Sequence, residues 1–227
     1  VNILVPIMPK SFEEAMALEL SHYEGATLIE WRADMLPPEE ILTVAPVIFE
    51  RFSGYEMIFS LGHQKKDSQQ WLPDEVYVDL IKQVQELYQP DYIEVPYKER
   101  QAIFEQLLTF SNLILSHYDT EKVPDNIMEI YSELTALSPR VVKLVLTPQT
   151  EQDVLDMMNY TRGFKSLHPD QTYMTIASGK LGQVTRFFGD LFGSDWTIAT
   201  VGEESSSQLS LSDMKQILSL LEKPVDS

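Results

Sequence analysis

The chain has 227 residues, 44% of them hydrophobic, with ten Phe, ten Tyr and three Trp; this suffices for one sizeable core and suits one α/β barrel or two small domains. Seventeen Lys and Arg against 35 Asp and Glu leave a formal charge of -18, which argues against nucleic acid or an anionic membrane as partner. The lack of cysteine excludes disulfides, thiolate catalysis and Cys-based zinc sites, and fits a reducing cytosol.

The opening VNILVPIMPK has neither the charged start nor the cleavage site of a signal peptide and looks like a first strand, with NILVP at 2–6. SFEEAMALELSHYE follows as a helical segment with a Ser cap and a Glu three residues on. Next come TLIEWR (27–32), then PPEEILTVAPVIFERF with Pro and acids at a helix start. MIFSL (57–61), PDEVYVDLIKQVQELY, YIEV (92–95) and LILSH (113–117) continue the alternation. PDNIMEIYSELTAL, VVKLVL (141–146), the Thr-capped TEQDVLDMMNYTRGF, YMTIA (173–177), WTIAT (196–200) and SLSDMKQILSLLEK complete it. Short buried strands alternating with helices, without linker or repeat, predict a single (β/α)8 TIM barrel over 1–227. The open doubly wound sheet is disfavoured because no G-x-G-x-x-G follows the first strand. No apolar run reaches the ~18 residues of a membrane span. A cytoplasmic location is therefore the expectation.

Barrel active sites lie at the C-terminal ends of the strands, so charges within apolar strands stand out. Glu30 and Arg32 are two apart and share a face, with Trp31 opposite. Facing the lumen, they form either an internal ion pair or a grip for hydroxyls or a carboxylate. Lys143 lies among Val and Leu, where a charged amine is costly to bury. Desolvation and a nearby arginine are expected to lower its pKa and free the amine to attack a carbonyl. The alternative is a lysine snorkelling from the outer face. In a barrel, an interior lysine points to an aldolase, a transaldolase-like enzyme or an imine-forming dehydratase. His117 and Tyr118 end the fifth strand side by side, so only one of them faces inward. Four scattered histidines show no metal-ligand spacing.

The texts LIEWRADMLP, LILSHYDTEKVP, PRVVKLVLTPQTEQDVLDMMNYTRGFK, GKLGQVTRFFGDLFGSDWTIA and SSSQLSLSDMKQIL together resemble type I 3-dehydroquinate dehydratase, in forms like those of streptococci. The resemblance spans essentially the whole chain. It implies a (β/α)8 barrel without metal or cofactor, often dimeric, acting on 3-dehydroquinate in aromatic amino-acid biosynthesis. It makes Lys143 the lysine that forms an imine with the C3 ketone. A histidine would then take the C2 proton and help the C1 hydroxyl leave. Glu30 and Arg32 would hold ring hydroxyls, Arg186 the carboxylate, and Ser205 and Gln208 a lid after the eighth strand.

Three places depart from the family pattern. The family reads Ser-x-His, whereas this chain reads Ser116-His117-Tyr118. With the register kept, Tyr118 takes the lumen slot and His117 turns to the helices; a bulge would bring His117 back. After the third strand, Gly62 stands for an arginine and Lys66 for an acid; His63 reads as an exposed loop residue, the alternative being a partial substitute for the arginine as a donor. Ser178 replaces a common methionine, and the lid is one residue short. The readings that follow are a working dehydratase, with Tyr118 or His117 handling the proton; an impaired relative binding a cyclic hydroxy acid or a protein partner; and another Schiff-base lyase or aldolase.

Overall fold

Each of the eight apolar runs becomes a parallel strand in the computed structural model, which describes residues 1–64, 66, 68–202 and 209–221. They are β1 (Asn2–Ile7), β2 (Leu28–Arg32), β3 (Glu56–Ser60), β4 (Tyr92–Pro96), β5 (Leu113–Asp119), β6 (Val141–Leu146), β7 (Thr172–Ala177) and β8 (Trp196–Ile198). One sheet runs in the order β7-β6-β5-β4-β3-β2-β1-β8, every neighbouring pair parallel. The seam between β7 and β8 is closed by loop groups rather than by a ladder. Asp195 N–H donates to the Tyr173 carbonyl at 2.7 Å, Thr175 N–H to Ser194 Oγ at 2.9 Å, and Tyr173 N–H to Asp195 Oδ2 at 2.8 Å.

The helices on the outside are α1 (Phe12–Ala17), α2 (Pro38–Arg51), α3 (Asp74–Tyr88), α4 (Tyr97–Arg100), α5 (Ile127–Ala136), α6 (Glu151–Leu167), α7 (Gln183–Phe188) and α8 (Leu211–Leu221). α6 starts with the reciprocal Thr150–Asp153 capping box. The segment expected as one helix over 11–24 is split into α1 and a short 3-10 turn, Leu20–Tyr23. Arg51 explains the break: its Nη1 and Nη2 donate to the carbonyls of Leu18 and Met16 at 2.9 and 2.8 Å, satisfying the end of α1. The sequence pattern also gave no helix after β4 or β7, where α4 and α7 are only 4 and 6 residues long.

The strands separate two cores. Outside, Trp31, Phe59, Val95, Leu115 and Leu144 pack against the helices, with Trp31 edge-on to Phe49 at 5.9 Å. Trp31 thereby turns Glu30 and Arg32 inward, as alternation requires. Inside, Leu4, Leu28, Ile58, Ile114, Met174 and Trp196 fill the lumen, and Tyr92 meets Trp196 edge-on at 5.0 Å. Arg100 anchors the far end of the β3–α3 loop: its guanidinium lies 3.6 Å over the Trp71 ring and bonds to the Leu72 carbonyl and Asp74.

Candidate active site

Above the apolar lumen, at the C-terminal ends of the strands, opens a cavity of about 250 Å³ lined by Glu30, Arg32, His63, Tyr118, Lys143, Ser178 and Arg186 among others. Lys143 is its centre. Its Nζ donates to Glu30 Oε2 and to Glu94 Oε2, both at 2.9 Å, and all three side chains are buried. Glu94 Oε1 accepts a further hydrogen bond from the Tyr118 hydroxyl at 2.6 Å.

Two carboxylates against one ammonium cannot both hold their charge comfortably in a low-dielectric site. Burial pushes the Glu30 carboxyl up to about 7, only partly opposed by Lys143, while the Glu94 charge adds to the rise. Burial acts on Glu94 in the same direction, but there Lys143 and the Tyr118 hydrogen bond overcome it and hold it down. Glu94 is therefore the standing anion and Glu30 the carboxylate closest to taking up a proton. Lys143 departs from the sequence expectation. Burial does work to lower it, yet the two carboxylates raise it well above its ordinary value, so the resting amine is protonated.

Arg32 directs Nε and Nη2 at the Asp34 carboxylate, each at 2.8 Å, which leaves both N–H groups of Nη1 and the second of Nη2. Glu30 and Arg32 thus have separate partners and do not form an ion pair that plugs the barrel. Asp34 also accepts from Gln64 Nε2 at 3.0 Å. This network fits a glycine at 62, whose φ is +72° and where a Cβ would collide with the Asp34 carboxylate. An arginine there requires a different loop. On the opposite wall Arg186, 4% exposed, has Nε and Nη1 buried without a partner among the described residues. Burial alone lowers its pKa. A desolvated guanidinium of this kind attracts a carboxylate.

β5 runs without a bulge: Ser116 pairs with Lys143, His117 with Leu144 and Tyr118 with Val145. Tyr118 is consequently in the mouth, its hydroxyl spent on Glu94 and its pKa raised by burial and by that carboxylate. It is a donor here, not a base. The bulge alternative is what is corrected, and with it a catalytic His117: as the kept register requires, His117 faces outward into a separate cavity of about 460 Å³ with Tyr97, Lys98 and Glu133, across the sheet from Lys143. Strand alternation leaves it no route to the lumen.

His63 is also corrected, from exposed loop residue to part of the mouth. Its ring stacks on Tyr118 at 3.8 Å and 7°. Desolvation, with the charge of Arg32 next, lowers its pKa to about 4. Glu94 was missed in the sequence, although an acid between Ile93 and Val95 in a short apolar run carries the same signal as Lys143. Ser205 and Gln208 lie outside the described residues.

Residues 3–224 match the family model described as type I 3-dehydroquinase. The chain is 48% identical to the 3-dehydroquinate dehydratase of Streptococcus pyogenes serotype M5 (strain Manfredo), over 227 residues and 100% of both chains. The same identity and coverage hold for the protein of that name from Streptococcus pyogenes serotype M1. Among solved structures, type I 3-dehydroquinate dehydratase from Clostridium difficile superimposes with a TM-score of 0.85 at 22% identity, covering 97% of this chain and 91% of that one. The 3-dehydroquinate dehydratase from Enterococcus faecalis gives 0.81 at 21% identity, covering 98% and 94%.

Proposed function

From the premise that this chain belongs to the type I 3-dehydroquinase family, we propose how its barrel mouth removes water from 3-dehydroquinate to give 3-dehydroshikimate. The chain is a dehydratase, a lyase acting on a small-molecule substrate, and its lysine supplies the chemistry. The single observation that carries the reading is Lys143, buried at the strand ends within 2.9 Å of both Glu30 and Glu94.

Lys143 passes a proton to Glu30, the carboxyl already drawn upward, and the free amine attacks the C3 ketone. The carbinolamine takes a proton back, loses water and becomes the imine. With the imine nitrogen as electron sink, the C2–H bond breaks, the C1 hydroxyl leaves as water, and hydrolysis returns the lysine and the enone product. Glu94 keeps a negative charge beside the nitrogen throughout, stabilising each cationic form. Arg186 holds the substrate carboxylate, and Glu30 with the free Nη1 of Arg32 holds ring hydroxyls. Ser205 and Gln208 belong to this reading as substrate-binding residues.

Two coarser features belong with it. Among the described residues no helix is long and apolar enough to cross a membrane; a cytoplasmic location accords with a cysteine-free chain. A homodimer accords with the exposed apolar side chains of Leu155 on α6, Val184 on α7, and Leu181 and Leu191 in the segments flanking α7.

The test is borohydride reduction in the presence of 3-dehydroquinate, followed by intact mass and peptide mapping. A reduced adduct on Lys143 is the expected result. Folded protein with no adduct would sink the assignment of this lysine.

A further inference from the structure

The imine explains how electrons are drawn from the α-carbon, but it does not say where the proton goes. A β-hydroxy ketone held as an imine loses water only if one group takes the α-proton and an acid protonates the departing hydroxyl. We propose that His63, brought over the mouth by the loop after β3, is that proton-transfer group. The inference rests on Lys143 as the imine lysine.

The geometry carries it by placement and by elimination. His63 shares the cavity with Lys143, Glu30 and Arg186. Its imidazole is held nearly parallel to the Tyr118 ring at 3.8 Å, so a loop side chain has a fixed plane beside the reacting centre. The carboxylates at the mouth are committed, and the hydroxyls of Ser178 and Thr120 are no bases near neutral pH. Glu94 is occupied by Lys143 and the Tyr118 hydroxyl, and Glu30, beside the Lys143 nitrogen, is taken up by the proton exchange of imine formation and by the ring hydroxyls. Asp119, at the rim, accepts from the backbone N–H groups of Glu121 and Lys122. The guanidinium groups of Arg32 and Arg186 are no bases near neutral pH.

Desolvation and the charges of Arg32 and Lys143, against Glu94 and Asp34, keep the ring neutral in the resting site. A neutral imidazole has the free nitrogen lone pair that a base needs. In the step, that lone pair takes the α-proton, the C–H electrons form the enamine double bond, and the iminium nitrogen is neutralised. The protonated ring then gives its proton to the β-hydroxyl, which leaves as water while the enamine electrons move back to restore a conjugated iminium. No oxidant or further reactant is required. In this chain the imidazole reaches the mouth from β3, while the strand-five histidine faces outward.

His63→Ala and the shape-conserving His63→Asn test this against the parent, with His117→Ala as control. Three readouts are taken with 3-dehydroquinate: borohydride trapping on Lys143, exchange of the substrate C2 proton with deuterated solvent, and turnover. Both His63 variants are expected to trap the adduct at the parent level while exchange and turnover fall by ~10²–10⁴-fold. A fall in parent turnover as pH drops through about 7 reports Glu30, which must be unprotonated to take the Lys143 proton, whereas the His63-dependent exchange step is expected to be lost only as the ring protonates near its lowered pKa of about 4. Trapping with parental exchange and turnover in both His63 variants overturns the role of His63 and leaves the imine intact. No trapping in the parent overturns the imine reading, and this inference with it.

Discussion

Along the same strands, two layers of side chains face the same lumen and are built from opposite materials. In the lower layer Leu4, Leu28, Ile58, Ile114 and Met174 pack around Trp196 with no charge among them. One step further along, Glu30, Glu94 and Lys143 are also buried and Tyr118 half-buried, but they are joined by hydrogen bonds of 2.6 to 2.9 Å. Burial stabilises the first layer directly. In the second, burial costs free energy that pairing only partly returns. The lower layer and the outer helical core must therefore hold the barrel closed while the upper layer keeps a reactive amine between carboxylates.

The sharpest break in this contrast is Lys143→Met. Turnover and the borohydride adduct are expected to vanish. Two buried carboxylates lose their counter-ion, so urea unfolding at neutral pH is expected to show a loss of about 3–5 kcal/mol, smaller at low pH where both become protonated. A cut of similar size in the lower layer separates the two roles. Ile58→Ala removes fully buried apolar volume and is expected to cost about 2–5 kcal/mol. Adduct formation and turnover per folded molecule should remain near the parent's. A large loss of turnover would mean that the layers are not independent.

A finer distinction lies inside the charged layer, between its two acids. Glu94 is lowered from 4.5, so its contribution to stability is present above the unfolded value and is lost as pH falls toward about 2. Glu30 is raised, so its contribution is full below 4.5 and is lost as pH rises through about 7. Glu94→Gln should thus be less stable than the parent at pH 7, with the difference closing in acid. Glu30→Gln should gain on the parent as pH rises from 5 to 8, while turnover falls because the amine has lost its proton acceptor. Unfolding midpoints at several pH values decide it; parallel curves for the two variants would contradict the split. The smallest effect is expected from His117→Ala, on the far side of β5, with turnover unchanged and stability altered by about 1 kcal/mol.

The local sequence determined the elements and much of the charged set. Strand positions were legible because each short apolar run must be buried on both faces, and charges inside such runs, Lys143 and Glu30, stand out against that background. Alternation also settled that Tyr118, not His117, points inward. Glu94 was equally legible, by the same contrast with Ile93 and Val95. The break after α1 was not, because it depends on Arg51, 35 residues from the Met16 carbonyl it caps.

The protonation of the site was beyond any local pattern. Lys143 meets Glu30 across 113 residues and Glu94 across 49, and only that convergence reverses the effect of burial on the amine. His63 lies in a loop, where no periodicity marks which way a side chain faces. Its place was decided by the left-handed turn at Gly62 and by the Tyr118 ring already waiting in the mouth. Sequence thus set which residues enter the barrel; closure of the barrel decided which of them share a proton.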